Sequence, residues 1–106
     1  MIKIDFSYLE VLSEDDEDFK MEFIQTFEDT YVSLVTKMKN ELDNNDLANL
    51  SKSAHQLKPS AKMIQLPCAE TLEDLQHNPS HATASVLDTI DQECEDALAQ
   101  LKSWAS

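Results

Sequence analysis

The residues in this sequence whose types and spacing suit chemistry are Lys52, His55, Lys58 and Lys62. Spacings of three, three and four put them on one ridge of an α-helix. That ridge lies beside the apolar stripe of the same segment and not on it, so His55 is predicted to be at least partly exposed. Ser51 and Ser60 are short polar neighbours that leave the ring open to approach. No acid occurs between Asp46 and Glu70, although the chain holds 21 Asp plus Glu and has a formal net charge of −13. An imidazole in water titrates near ~6.5, so much of it is neutral and nucleophilic around neutral pH. A phosphoryl group on its nitrogen carries negative charge. Lys58, one turn on, and Lys62, farther along, would stabilise that charge. The same pattern also reads as an ordinary surface histidine among solubilising lysines.

These residues must be positioned by helices. From Asp15 to Leu42 the apolar residues Phe19, Phe23, Ile24, Phe27, Tyr31, Leu34, Val35, Met38 and Leu42 recur mostly at threes and fours, predicting one long amphipathic helix. Ser13 is its expected N-cap, with the acids from Glu14 to Asp18 against the positive helix end. Asn44-Asn45 is the stop signal, Asn being the substitute where a left-handed residue is needed and Gly is absent. Asp46 is expected to cap a second helix with Leu47, Leu50, Ala54, Leu57, Ala61 and Ile64 inward. Pro67 fits the first turn of a third, with Ala69, Leu72 and Leu75 inward. Asn78-Pro79 reads as a cap and first helical residue of a fourth, whose buried stripe is Leu87, Ile90, Cys94, Ala97, Leu98, Leu101 and Trp104. A short leading helix, about Phe6 to Leu12, is expected to lid one end through Phe6, Leu9 and Leu12. No β-branched clusters of period two occur. The expected fold is all-α, an antiparallel up-down-up-down four-helix bundle with a short N-terminal lid helix.

Composition narrows the function. A chain of 106 residues suits one domain over 1–106, and a 42% hydrophobic fraction argues against disorder. With no Gly, a phosphate-binding loop and a dinucleotide turn are unavailable. The acidic balance argues against nucleic acid, and no apolar run reaches the ~20 residues that span a bilayer. Met1-Ile2-Lys3-Ile4-Asp5 lacks a secretory apolar core, and the Met1 start leans toward a free-standing protein. Cys68 and Cys94 form no CxxC and read as small buried apolar residues in a reducing cytoplasm. His77 and His81 straddle a proline and have no evident third ligand, so no metal site is expected. Glu73 and Asp74 are adjacent and face different directions. Met21, Met38 and Met63 read as core filler.

Ala54-His55-Gln56-Leu57-Lys58-Pro59-Ser60-Ala61 resembles the motif of histidine-containing phosphotransfer (HPt) domains: Ala-His, a variable residue, Leu-Lys-Gly and a small residue. Asp5-Phe6-Ser7-Tyr8-Leu9, the long Asp15 to Leu42 helix, Asn45-Asp46-Leu47 and Leu66-Pro67 also look like family features, so the likeness covers nearly the whole chain. It implies that His55 accepts a phosphoryl group from a receiver-domain aspartate and passes it to another receiver, with Lys58 stabilising the phosphate. It implies no independent kinase activity, no cofactor bound here, and Mg on the receiver partner. Supporting candidates are Lys62, Ser60 and Gln76, the last being the expected side chain from the following helix. Lys52, Ala54, Pro59, Ala61 and Met63 are docking candidates. The implied partners are response-regulator receivers and a hybrid sensor kinase; cysteine usage points to the cytoplasm, and a partner-exposed His55 favours a monomer.

One departure is Pro59, where the family usually has Gly. Proline removes the N–H that would pair with the His55 carbonyl and disfavours helical geometry at Lys58. A kink or a local break one turn after His55 is therefore expected. The competing functions are an inactive HPt-like adaptor and an acidic helical bundle that binds a basic partner, with His55 incidental.

Overall fold

A computed structural model describes residues 4–14 and 16–105. Residues 1–3, used above against a secretory segment, and Asp15, the expected first residue of the long helix, lie outside these. Every regular element among the described residues is helical: α1 (Ser7–Ser13), α2 (Glu17–Asp43), α3 (Leu47–Met63), α4 (Cys68–His77), a 3₁₀ turn (Pro79–His81) and α5 (Ala84–Ala105). α2 packs against α3 and α5, and α3 packs against α4. No described helix is long and apolar enough to cross a membrane.

Helix starts show where local chemistry overrides simple expectation. Ser13 does not cap the long helix. It ends α1, and its Oγ donates to the Glu10 carbonyl at 3.3 Å. Glu14 then turns left-handed at φ 47°, and Asp16 becomes the cap of α2. The Asp16 Oδ1 accepts from the Asp18 and Phe19 N–H groups at 2.9 and 3.3 Å. A charged acceptor against the positive helix end is a stronger cap than a hydroxyl already spent on its own helix. At the other end of α2, Asn45 takes the left-handed conformation, φ 54°, as the Asn pair predicts. Asp46 caps α3 by accepting from the Asn49 N–H at 3.3 Å.

The expected start of the last helix at Asn78-Pro79 is also corrected. Pro79 opens only the 3₁₀ turn, and α5 begins at Ala84. Thr83 supplies its cap, with Oγ1 accepting from the Val86 N–H at 3.1 Å. Proline is as much at home at the start of a single turn as at the start of a long helix, so it marks an entry without fixing which.

Most of the predicted stripe residues form the core, while Leu47, Phe19, Ala69 and Trp104 are half-buried and Met21, expected as core filler, is 64% exposed. Leu50, Ala54, Leu57, Ala61 and Ile64 from α3, Leu72 and Leu75 from α4, and Leu87 to Leu101 at helical spacing on α5 join Ile24, Phe27, Tyr31, Leu34, Val35 and Met38 of α2 in one buried cluster. Cys68 and Cys94 are both buried free thiols. A mutual hydrogen bond and burial push the Cys68 thiol upward, so it stays protonated. Among the polar groups, Ser53 Oγ donates to Glu41 Oε1 at 2.7 Å, both buried between α2 and α3. α1 docks through Phe6, which stacks on Trp104 at 5.4 Å, and through fully buried Leu9. Leu12 is not part of that contact and is 42% exposed. The buried face of α1 runs from Leu9 to Ser13, a step of four, and leaves the step of three outside.

Pro59 lies inside α3 on its exposed side, and the helix runs through it to Met63. The local break does not occur. Leu57, Ala61 and Ile64 on either side of the proline are all buried, and their packing holds the helical path past the missing hydrogen bond. Pro59→Ala is accordingly expected to stabilise the protein by roughly 1–3 kcal/mol, since it restores a donor to the His55 carbonyl. Urea unfolding is the check: the midpoint should rise with the slope unchanged, and an unmoved midpoint would show that the proline is unstrained.

Candidate functional site

α3 fixes the site. The same helical phase that sends Ala54, Leu57 and Ala61 into the core leaves Lys52, His55 and Lys62 exposed and Lys58 half-buried. The His55 ring makes no hydrogen bond or ion pair among the described residues. It lines a shallow depression of 320 Å³ with Ser51, Lys52, Gln56 and Gln76.

α4 forms the second wall. Ser51 Oγ donates to the Gln76 carbonyl at 2.5 Å, tying the start of α3 to the end of α4. Lys58 Nζ donates to Gln76 Oε1 at 3.1 Å and to the Glu73 carboxylate. Gln76 thus belongs beside His55 and Lys58. Its neighbour His77 turns aside, with Nε2 3.2 Å from Glu73 Oε1. A second depression, of 380 Å³, continues past Lys58 to Lys62, Ala69, Glu70 and Glu73. Lys62 is therefore the more distant cation, and Ser60 is half-buried on the same helix.

Two of the docking candidates are corrected. Ala54 is 0% and Ala61 1% exposed, so neither reaches a partner's surface. Both lie on the apolar stripe, and their small size brings α3 close to its neighbours. Lys52 and Pro59 are exposed and Met63 is half-buried, so these three remain within a partner's reach.

Nothing in the sequence marks Glu73 as part of the site. The acid-free stretch ends at Glu70, and the turn into α4 brings acids back against the α3 lysines. The Lys58 hydrogen bond, with a smaller contribution from His77, holds the Glu73 carboxyl below its ordinary range. Asp74 faces the other way, 2.8 Å from His81 Nδ1, and is lowered by the bonds from His81 and Asn78. Carboxylates lowered in the fold contribute stability that is present above their unfolded values, about 4, and is lost as pH falls through the folded values. The melting temperature is thus expected to drop below about pH 4, and a Glu73→Gln, Asp74→Asn double variant should show a shallower drop. An identical acid profile in the double variant would remove these two pairs from the account. No three His, Cys, Asp or Glu side chains among the described residues are grouped to hold a metal ion.

A family model for the Hpt domain matches residues 22–104, from the first turns of α2 almost to the end of α5. The chain belongs to the Hpt domain family, the histidine-containing phosphotransfer domains of two-component phosphorelay signalling, whose members interact with receiver domains. No curated protein and no solved structure matches it significantly.

Proposed function

We propose that this protein is a phosphorelay intermediate that accepts a phosphoryl group on His55 from a receiver aspartate and passes it to a second receiver. The observation that carries the reading is the His55 ring itself, exposed and unpaired among the described residues, in one depression with the Gln76 that binds Lys58. The unprotonated ring nitrogen attacks phosphorus in line with the aspartyl oxygen. An N–P bond forms, the P–O bond breaks with its electron pair left on the carboxylate, and the other ring nitrogen keeps its proton. The reverse step returns the phosphoryl group to a second aspartate. Lys58 stabilises the charge on the transferring group. Mg²⁺ and most of the catalytic groups come from the receiver, and this chain binds no cofactor of its own.

In this reading residues 1–106 act as one unit, an up-down-up-down antiparallel bundle of α2, α3, α4 and α5, with α1 as the lid. The unit is a cytoplasmic monomer, and a hybrid sensor kinase supplies the first receiver. Lys52 and Lys62 steer the approach of the acidic receiver rim, while the remaining surface is too acidic to compete.

The test is incubation with a panel of ³²P-phosphorylated receiver domains. Label on the protein that is lost in acid and kept in base supports the relay. Receiver binding without label identifies a docking adaptor, and neither binding nor label leaves an acidic helical binding module.

A further inference from the structure

We propose that Glu73 sets the phosphotransfer equilibrium of this domain, because its carboxylate competes with the phosphoryl group for the Lys58 ammonium and so makes the charged carrier easier to discharge. The inference rests on the reading of His55 as phosphoacceptor and adds a positioning residue to it.

Lys58 is not a free cation. Its ammonium is bonded to both Glu73 and Gln76, and its side chain is only 17% exposed. Two of its three protons are therefore spoken for before any phosphate arrives. A phosphoryl group on His55, one helical turn away, brings charge approaching −2 to the same cation. Two responses are open. If Lys58 stays with Glu73, its positive charge is shared between the carboxylate and the phosphoryl group, which gains less from it. If Lys58 turns to the phosphoryl group, the Glu73 pair is given up, and His77, 3.2 Å from the other carboxylate oxygen, is the partner left to it. In both cases Glu73 favours the unphosphorylated state.

This suits a carrier. A relay protein that held its phosphoryl group too firmly would charge well and fail to pass it on. Gln76 holds Lys58 in the site through a neutral contact, which costs the phosphorylated state less than a carboxylate does. The Glu73 side chain is 48% exposed, so solvent screens it and the effect is limited to about fivefold in the equilibrium.

The test measures the equilibrium ratio of phosphoryl group on His55 to that on whichever receiver of the panel labels the wild type fastest. Glu73→Gln should raise the ratio roughly three- to fivefold, and Glu73→Ala should do the same, since both remove the competing charge. In a Lys58→Met background the Glu73→Gln shift should fall below about twofold, because the contested cation is gone. An unmoved ratio in both Glu73 variants, or a shift toward the receiver, overturns the proposal. So does a shift of equal size with and without Lys58, which would be general repulsion or a structural effect. A wild type that takes no label overturns the phosphoacceptor reading and this inference together; a labelled wild type with an unmoved ratio overturns Glu73 alone.

Discussion

His55→Gln should take up no label from any phosphorylated receiver, a loss of more than about a hundredfold, while melting within a few degrees of the wild type. The ring is exposed and bonded to nothing among the described residues, and exposed substitutions of that kind usually change stability by less than about 0.5 kcal/mol. For a chain of this size that corresponds to about 2–4 °C. The completeness of the loss follows from the other two imidazoles. His77 lies against Glu73 and His81 against Asp74, so each ring has a carboxylate on one nitrogen. A phosphoryl group arriving at either would meet that negative charge, and the one lysine nearby, Lys58 on the far oxygen of Glu73, is already shared with Gln76. Neither can replace His55 in kind. Residual label on the variant, mapped to His77 or His81, would sink the assignment, and a collapsed melting curve would point to a structural role for an exposed ring that makes no hydrogen bond among the described residues.

The contrast between what could and could not be read ahead of the structure has a physical pattern. The helical stripes were legible because a buried face repeats along one element, and Leu50 to Ile64 or Leu87 to Leu101 announce it many times over. The exposure of His55 followed from the same arithmetic, since a residue off the stripe must face water. Single capping events were less legible. Ser13 and Asp16 are both good cap residues three apart, and only the left-handed turn at Glu14 decides between them. The Asn78-Pro79 start failed for the same reason: one proline fits two kinds of first turn, and Thr83 was the better cap for a long helix. Glu73 was hidden because its partner Lys58 is fifteen positions earlier, on another helix, where no periodicity links them. Distance along the chain points to Gln76, but its register against His77 depends on the path of α4. The family resemblance drew attention to His55 and Lys58; it contained nothing about the carboxylate that holds Lys58.

Lys58→Glu is expected to slow transfer between about ten- and a hundredfold while destabilising the protein by no more than about 1 kcal/mol. The two effects differ because they draw on different surroundings. In the unphosphorylated protein Lys58 is 17% exposed but its partner carboxylate is 48% exposed, so solvent screens the pair from the carboxylate side and its contribution to folding stays small. Reversing the charge sets Glu against Glu73, yet both side chains can turn toward water to relieve it. During transfer the same position faces a phosphoryl group whose charge cannot turn away, and a receiver that excludes solvent makes the loss of one fixed cation larger. Lys58→Met separates the parts: it should lose most of the rate by removing the cation, and the further drop on going to Glu measures repulsion alone. Lys62→Glu should fall well short of either, because Lys62 lies in the second depression beyond Lys58 and is exposed. Stopped-flow transfer from a phosphorylated receiver, run beside thermal melts of the three variants, gives the ordering. Equal rates for Lys58→Glu and Lys62→Glu would mean that the lysines act only as a diffuse steering field. In that case the rate differences should vanish at high salt, whereas a cation seated within one turn of the phosphoryl group keeps its effect there.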